Sequence, residues 1–106
     1  MTRAKFPYIR SPALLKACRE IPCQHCGTED GTVVAAHSNQ GCHGKAKALK
    51  ASDIYIAALC AKCHTKVDSS YCLTQQERAK IWTDAHLKTV QELTNRGLWP
   101  ANIGRP

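Results

Sequence analysis

Two closely spaced cysteine pairs, Cys23-x-x-Cys26 and Cys60-x-x-Cys63, lie 33 residues apart in a chain of only 106. No other feature narrows the possible folds as much. Structural zinc takes four tetrahedral ligands, commonly thiolates, and each CxxC turn presents two sulfurs on the same side. The two turns together predict one closed four-cysteine zinc site that pins the chain at two distant points. The alternative is that one pair is incidental and Cys18, Cys42 or a histidine completes the set. A staple also answers a shortage, because only 6% of residues are aromatic, with one Phe and one Met. A chain of this size forms one small domain, residues 1–106, whose modest core needs such a link. The odd count of seven cysteines, with no signal peptide and no long apolar run, predicts a reduced, cytoplasmic protein without membrane association. In that setting paired cysteines read as metal ligands rather than disulfides. Cys18, Cys42 and Cys72 lack a spaced partner and read as buried or half-exposed thiols.

The charge is +7 and uneven: residues 1–50 carry eight basic and three acidic side chains, residues 51–106 seven and five. A small basic domain suits a polyanion, nucleic acid before others. Residues 1–10 read as an irregular basic arm. Ser11 and Pro12 are an N-cap and first helical position, opening a short helix that ends before Pro22. In CQHCG, Gly27 supplies the positive φ of a knuckle, and His25 inside it faces solvent. TVVAAHS, 32–38, predicts a short strand ending near His37, and DIYIAALC, 53–60, a second. Between them NQGCHGKAKALKA reads as a flexible basic loop. A helix beginning around Lys62 carries His64 and Asp68. TQQE, 74–77, is a capping box that opens a helix running to about Arg96, with Gly97 placed to end it. Its apolar face reads Ala79, Trp82, His86, Val90 and Leu93, which makes His86 a packed core histidine. Trp99 in the following tail packs back on the domain.

His64 follows the second knuckle directly. From spacing alone it is a spare zinc ligand, a solvated residue, or part of a second metal site. His37 at a strand end, a loop, a second strand and then LCAKCH together resemble the HNH, or ββα-metal, nucleases. Within that class the stretch from Ala35 to Asp68 is similar to the YbcO-like prophage nucleases, a phage-encoded group, and the resemblance covers about residues 18–70. It implies a zinc-stapled ββα-metal core; with the short N-terminal helix and the long C-terminal helix, about 74–96, that their own caps and spacing predict, the fold class is α+β. It further implies a metal-dependent endonuclease hydrolysing DNA phosphodiester bonds, used in DNA processing or recombination. Cys23, Cys26, Cys60 and Cys63 would hold structural zinc. His37 matches the family's general base and His64 its ligand to a catalytic divalent cation: Mg²⁺, Mn²⁺, Ni²⁺ or Zn²⁺. Lys45, Lys47 and Lys50, with Arg3, Lys5 and Arg10, would hold the nucleic-acid backbone without reading sequence.

Two departures from the family stand out. Many members have an acidic metal ligand just before the first histidine, where Ala36 stands here. The bracing asparagine has no clear match, and Asp53 and Asn39 are the candidates to replace it at the catalytic site. Asp68, four residues beyond His64 on one helical face, is a metal ligand, a hydrogen-bond partner of His64 or a surface residue. The competing function is a zinc-ribbon DNA-binding module without catalytic activity.

Overall fold

The computed structural model of the chain describes residues 9–38, 52–69 and 72–106. The basic arm with Arg3 and Lys5, and the loop with Asn39, Cys42, Lys45, Lys47 and Lys50, lie outside these residues. The elements run α1 (Pro12–Cys18), β1 (Val34–His37), β2 (Ile56–Leu59), α2 (Ala61–Ser69) and α3 (Gln75–Asn95). This is a small α+β arrangement with a four-cysteine cluster beside the strand pair and α2.

Local chemistry sets most boundaries. The Ser11 hydroxyl accepts the Leu14 N–H at 3.2 Å, and Pro12 occupies the first turn of α1. At α3 the capping box is complete: Thr74 Oγ1 accepts from Glu77 N at 3.0 Å, and Glu77 Oε1 accepts from Thr74 N at 2.8 Å. The far end closes on Gly97 at φ 72°, with Leu98 N bonded to Leu93 O and Gly97 N to Thr94 O. That is a Schellman closure, which uses the left-handed conformation glycine adopts without strain.

The strands are antiparallel, pairing Val34 with Leu59, Ala35 with Ala58, Ala36 with Ala57 and His37 with Ile56. The second strand is shorter than its sequence suggests. Ser52 to Tyr55 form a turn, closed by Tyr55 N on Ser52 O, so Asp53 and Ile54 precede β2 rather than lie in it. All four residues of β2 are buried. Ser38 N donates to Tyr55 O, which continues the ladder, so residues 55, 57 and 59 turn their polar backbone toward β1 while 56 and 58 turn theirs outward.

Those outward groups would be an open sheet edge, and α3 closes it with side chains. Thr89 Oγ1 accepts from Ala58 N at 2.9 Å, and His86 Nδ1 donates to Ile56 O at 2.8 Å. Trp82 reaches past that edge to β1, where Nε1 donates to Ala36 O at 2.9 Å. The first knuckle takes another outward group of β2, with Gln24 N on Ala58 O. His86 is buried and stacks on Trp82, ring centroids 4.9 Å apart at 9°. The buried stripe of α3 is therefore Trp82, Ala85, His86, Thr89 and Leu93. Ala79 and Val90, expected on that face, are only half-buried. Thr89 also donates to Ala85 O at 2.7 Å, so hydrogen bonding to the sheet, not hydropathy alone, sets the rotation of the helix.

The core runs from Leu14 and Cys18 through Ile56 and Leu59 to Trp82 and Leu93. Trp99 is half-buried and packs against it, as do Leu98 and Ile103.

Candidate metal centre and histidine–carboxylate pairs

The four paired cysteines arrive at one point from two directions. Gly27 takes φ 82° and donates its N–H to Cys23 O, which folds the first knuckle back on itself. The second knuckle is the end of β2 running into α2, where His64 N donates to Cys60 O at 2.8 Å. Thr32 ties the two together: its hydroxyl accepts the Ala61 N–H at 2.9 Å and donates to Asp30 Oδ1 at 2.6 Å. All four sulfurs lie within 4.8 Å of one another, and Cys26 Sγ is 3.7 Å from Cys60 Sγ. Zinc–sulfur bonds of about 2.3 Å set a tetrahedral edge of about 3.8 Å, so this cluster could hold a structural zinc.

The thiols of Cys23 and Cys63 are shifted in opposite directions. Burial opposes ionisation of Cys23, but the backbone N–H groups of Cys26, Cys60 and His25 outweigh it and bring the thiol down to about 6. Cys63 moves the other way, pushed far up by burial and then by the thiols of Cys60, Cys26 and Cys23. A divalent cation held by the cluster would offset both the burial and the mutual repulsion of the thiolates. Cys18, buried away from the cluster, is raised to about 12 by burial, the behaviour of a core thiol. Cys72 is exposed, and so is His25.

His64 is not one of the clustered ligands. It stands in the first turn of α2, half-exposed, with Nε2 3.1 Å from Asp68 Oδ2 one turn later. Of the sequence alternatives for Asp68, the geometry is that of a carboxylate bonded to the ring of His64. Asp68 is also held through its backbone, because Arg78 Nη1 on α3 donates to its carbonyl at 3.1 Å.

A second pair lies at the other end of the strands. His37 Nε2 is 2.6 Å from Asp53 Oδ1, with the ring 18% exposed and the carboxylate 4%. Asp53 Oδ2 accepts the Ser11 N–H at 2.6 Å, and Arg10 Nη1 lies 3.5 Å from Oδ1. The backbone around the pair is laced to the segment before α1: Asp53 N donates to Ile9 O at 2.8 Å and Ile9 N to Ser52 Oγ at 3.0 Å. A carboxylate only accepts, so Nε2 carries a proton, and in the neutral tautomer of the ring the lone pair then lies on Nδ1. The contribution of Ser11 and Arg10 to this site was not visible in the sequence. No spacing rule links residues 10 and 11 to residue 53.

Ala36 is 1% exposed, on the strand face opposite His37. An acid at this position would bury a carboxylate in the core, so here its absence follows from the packing. Among known proteins, the chain matches no family model, no curated protein and no solved structure.

Proposed function

We propose that this chain is a metal-dependent endonuclease of the HNH type, of the prophage-encoded kind its motifs resemble, hydrolysing phosphodiester bonds in DNA. The observation that carries the reading is the buried Asp53 carboxylate on Nε2 of His37, at the end of β1. It leaves Nδ1 as a proton acceptor in a ring that solvent can reach. A histidine kept only for packing has no need of a buried carboxylate partner.

In this reading Asp53 fixes the ring and its tautomer, which replaces the bracing asparagine of the family. His37 takes a proton from water as the water oxygen attacks phosphorus. The bond to the 3′ oxygen breaks, that oxygen takes a proton from solvent water to give the 3′-hydroxyl beside a 5′-phosphate, and the proton on His37 passes to solvent. His64 would hold the divalent ion, with Asp68 on the far nitrogen orienting the ring and raising its basicity. When bound, the ion supplies Lewis-acid stabilisation of the charge on the phosphate and leaving oxygens. One imidazole suits an ion that keeps most of its waters and takes phosphate oxygens from the substrate. Arg10, Arg3, Lys5, Lys45, Lys47 and Lys50 hold the phosphate backbone electrostatically.

Supercoiled plasmid incubated with zinc-loaded protein and Mg²⁺, Mn²⁺ or Ni²⁺ tests this directly. Nicking that requires the added ion and is lost in His37→Ala supports it. The burial of Ala36 favours a second reading, a zinc-ribbon module that binds DNA without cutting it, because that position offers no ion ligand. Salt-sensitive binding with no ion-dependent nicking would establish the module instead.

A further inference from the structure

Asp53 Oδ1 has two partners of different exposure. His37 Nε2 sits on it at 2.6 Å with an 18% exposed ring, while the Arg10 guanidinium stands 3.5 Å away and is 49% exposed. Asp53 itself is 4% exposed, so a phosphate in solution cannot reach it but can reach Arg10. The Arg10–Asp53 contact is long and half-solvated, the kind of ion pair that exchanges at little cost. The His37–Asp53 contact is short and held from behind by the Ser11 N–H on Oδ2.

We infer that Arg10 is a positioning residue that couples substrate binding to the base. In the free protein its positive charge draws on the oxygen that holds His37. A nucleic-acid phosphate recruits the exposed guanidinium and leaves Oδ1 to His37 alone. The hydrogen bond from Nε2 then strengthens, and Nδ1 becomes the better proton acceptor when a phosphodiester is present. Backbone bonds from Ile9 to Ser52 and Asp53 keep residue 10 in place while its side chain changes partner. The inference rests on reading His37 as the base, and it gives Arg10 a task that the loop lysines do not share.

The test reads the ring of His37 by nitrogen and proton NMR in the full, zinc-loaded chain, with and without a short DNA duplex and with no added divalent ion. In the wild type, duplex should move the Nε2–H resonance downfield. In Arg10→Gln the resonance should already stand downfield without duplex and move little on its addition. Arg10→Lys, which keeps the charge, should behave as the wild type does. In the plasmid assay Arg10→Gln should raise KM several-fold, with kcat close to the wild-type value. A plain phosphate contact would raise KM and leave the His37 resonance unmoved by the substitution. A His37 signal that responds to duplex equally in wild type and Arg10→Gln would overturn the coupling, as would one that responds in neither. A wild type that does not nick plasmid defeats the nuclease reading, while the resonance arm still decides whether Arg10 links phosphate to His37.

Discussion

At one end of the β1–β2 ladder Val34 faces Leu59 and the chain runs straight into Cys60; at the other His37 faces Ile56 and the chain turns through Asp53. Four residues separate two quite different arrangements of ligand-type side chains. At the cysteine end four like donors converge, and an ion held by all four has no open position. At the histidine end one ring is, among the described residues, bonded through Nε2 to a carboxylate that is itself held in place. The first arrangement uses up its donors and can only hold the fold together. The second keeps a lone pair in reserve, as proton transfer requires. His64 repeats the second pattern from α2, with Asp68 on one nitrogen.

Loss of the ion at the cysteine end should have the largest effect. In so small a domain binding and folding are coupled, so stripping zinc or changing Cys60→Ser should melt the far-ultraviolet circular dichroism of the whole domain. A chelator that left the spectrum intact would show that the core alone sustains the fold, and the contrast between the two ends would collapse.

The histidine end should respond in the opposite way. His37→Ala should keep zinc and melting temperature while lowering cleavage by about 10²–10⁴-fold, the range of a lost general base. Wild-type cleavage by this variant would remove His37 from the chemistry. A smaller step separates the two histidine–carboxylate pairs. If His64 holds the ion as proposed, Asp68→Asn removes the partner that orients its ring and should cost roughly 10–100-fold in ion-stimulated rate, recovered in part by more ion. An unchanged rate would make Asp68 a surface residue.

How much of this was legible in the sequence depends on the range of the interaction. The CxxC pairs, the Ser11 cap, the TQQE box and Gly97 are local rules, and the structure follows them within a residue or two. On the buried stripe of α3 hydropathy finds Trp82, His86 and Leu93, but it counts Val90 and passes over Thr89, whose burial depends on the Ala58 N–H of another element. The same limit hid the Ser11 and Arg10 contacts with Asp53, which join segments 42 residues apart. Asp53 was a candidate only through resemblance to a family. Nothing in its own neighbourhood says that its carboxylate is buried.

The α3 straps belong to neither end, and changing them tests whether the sheet is held as one unit. His86→Ala removes a stacked, buried ring and its bond to Ile56 O, and should lower stability by about 1–3 kcal/mol. Zinc content should not change, because the strap acts on the outer edge of β2 and not on the knuckles. Zinc release at the same time as unfolding, with no destabilised but loaded state, would mean that the strap and the metal centre form one cooperative block.

The smallest expected effect is a pH dependence at the cysteine end itself. Thr32 donates from its hydroxyl at 2.6 Å and from its backbone at 2.9 Å to Asp30 Oδ1, and these bonds hold the Asp30 carboxyl below its usual range. A carboxylate depressed in the folded state contributes stability above its unfolded pKa of about 3.9, and that contribution is lost as pH falls through the lower folded value. The group is fully exposed, so the loss is slight. Its interest lies in what Thr32 does next: the same hydroxyl accepts the Ala61 N–H at the start of α2, beside Cys60. Asp30→Asn should therefore flatten the acid limb of the stability curve below about pH 4 and leave the neutral plateau nearly unmoved. If the variant instead loses zinc at neutral pH, the Asp30–Thr32–Ala61 chain is part of what shapes the metal site. Asp30 would then belong to the closed end of the ladder as firmly as the cysteines do.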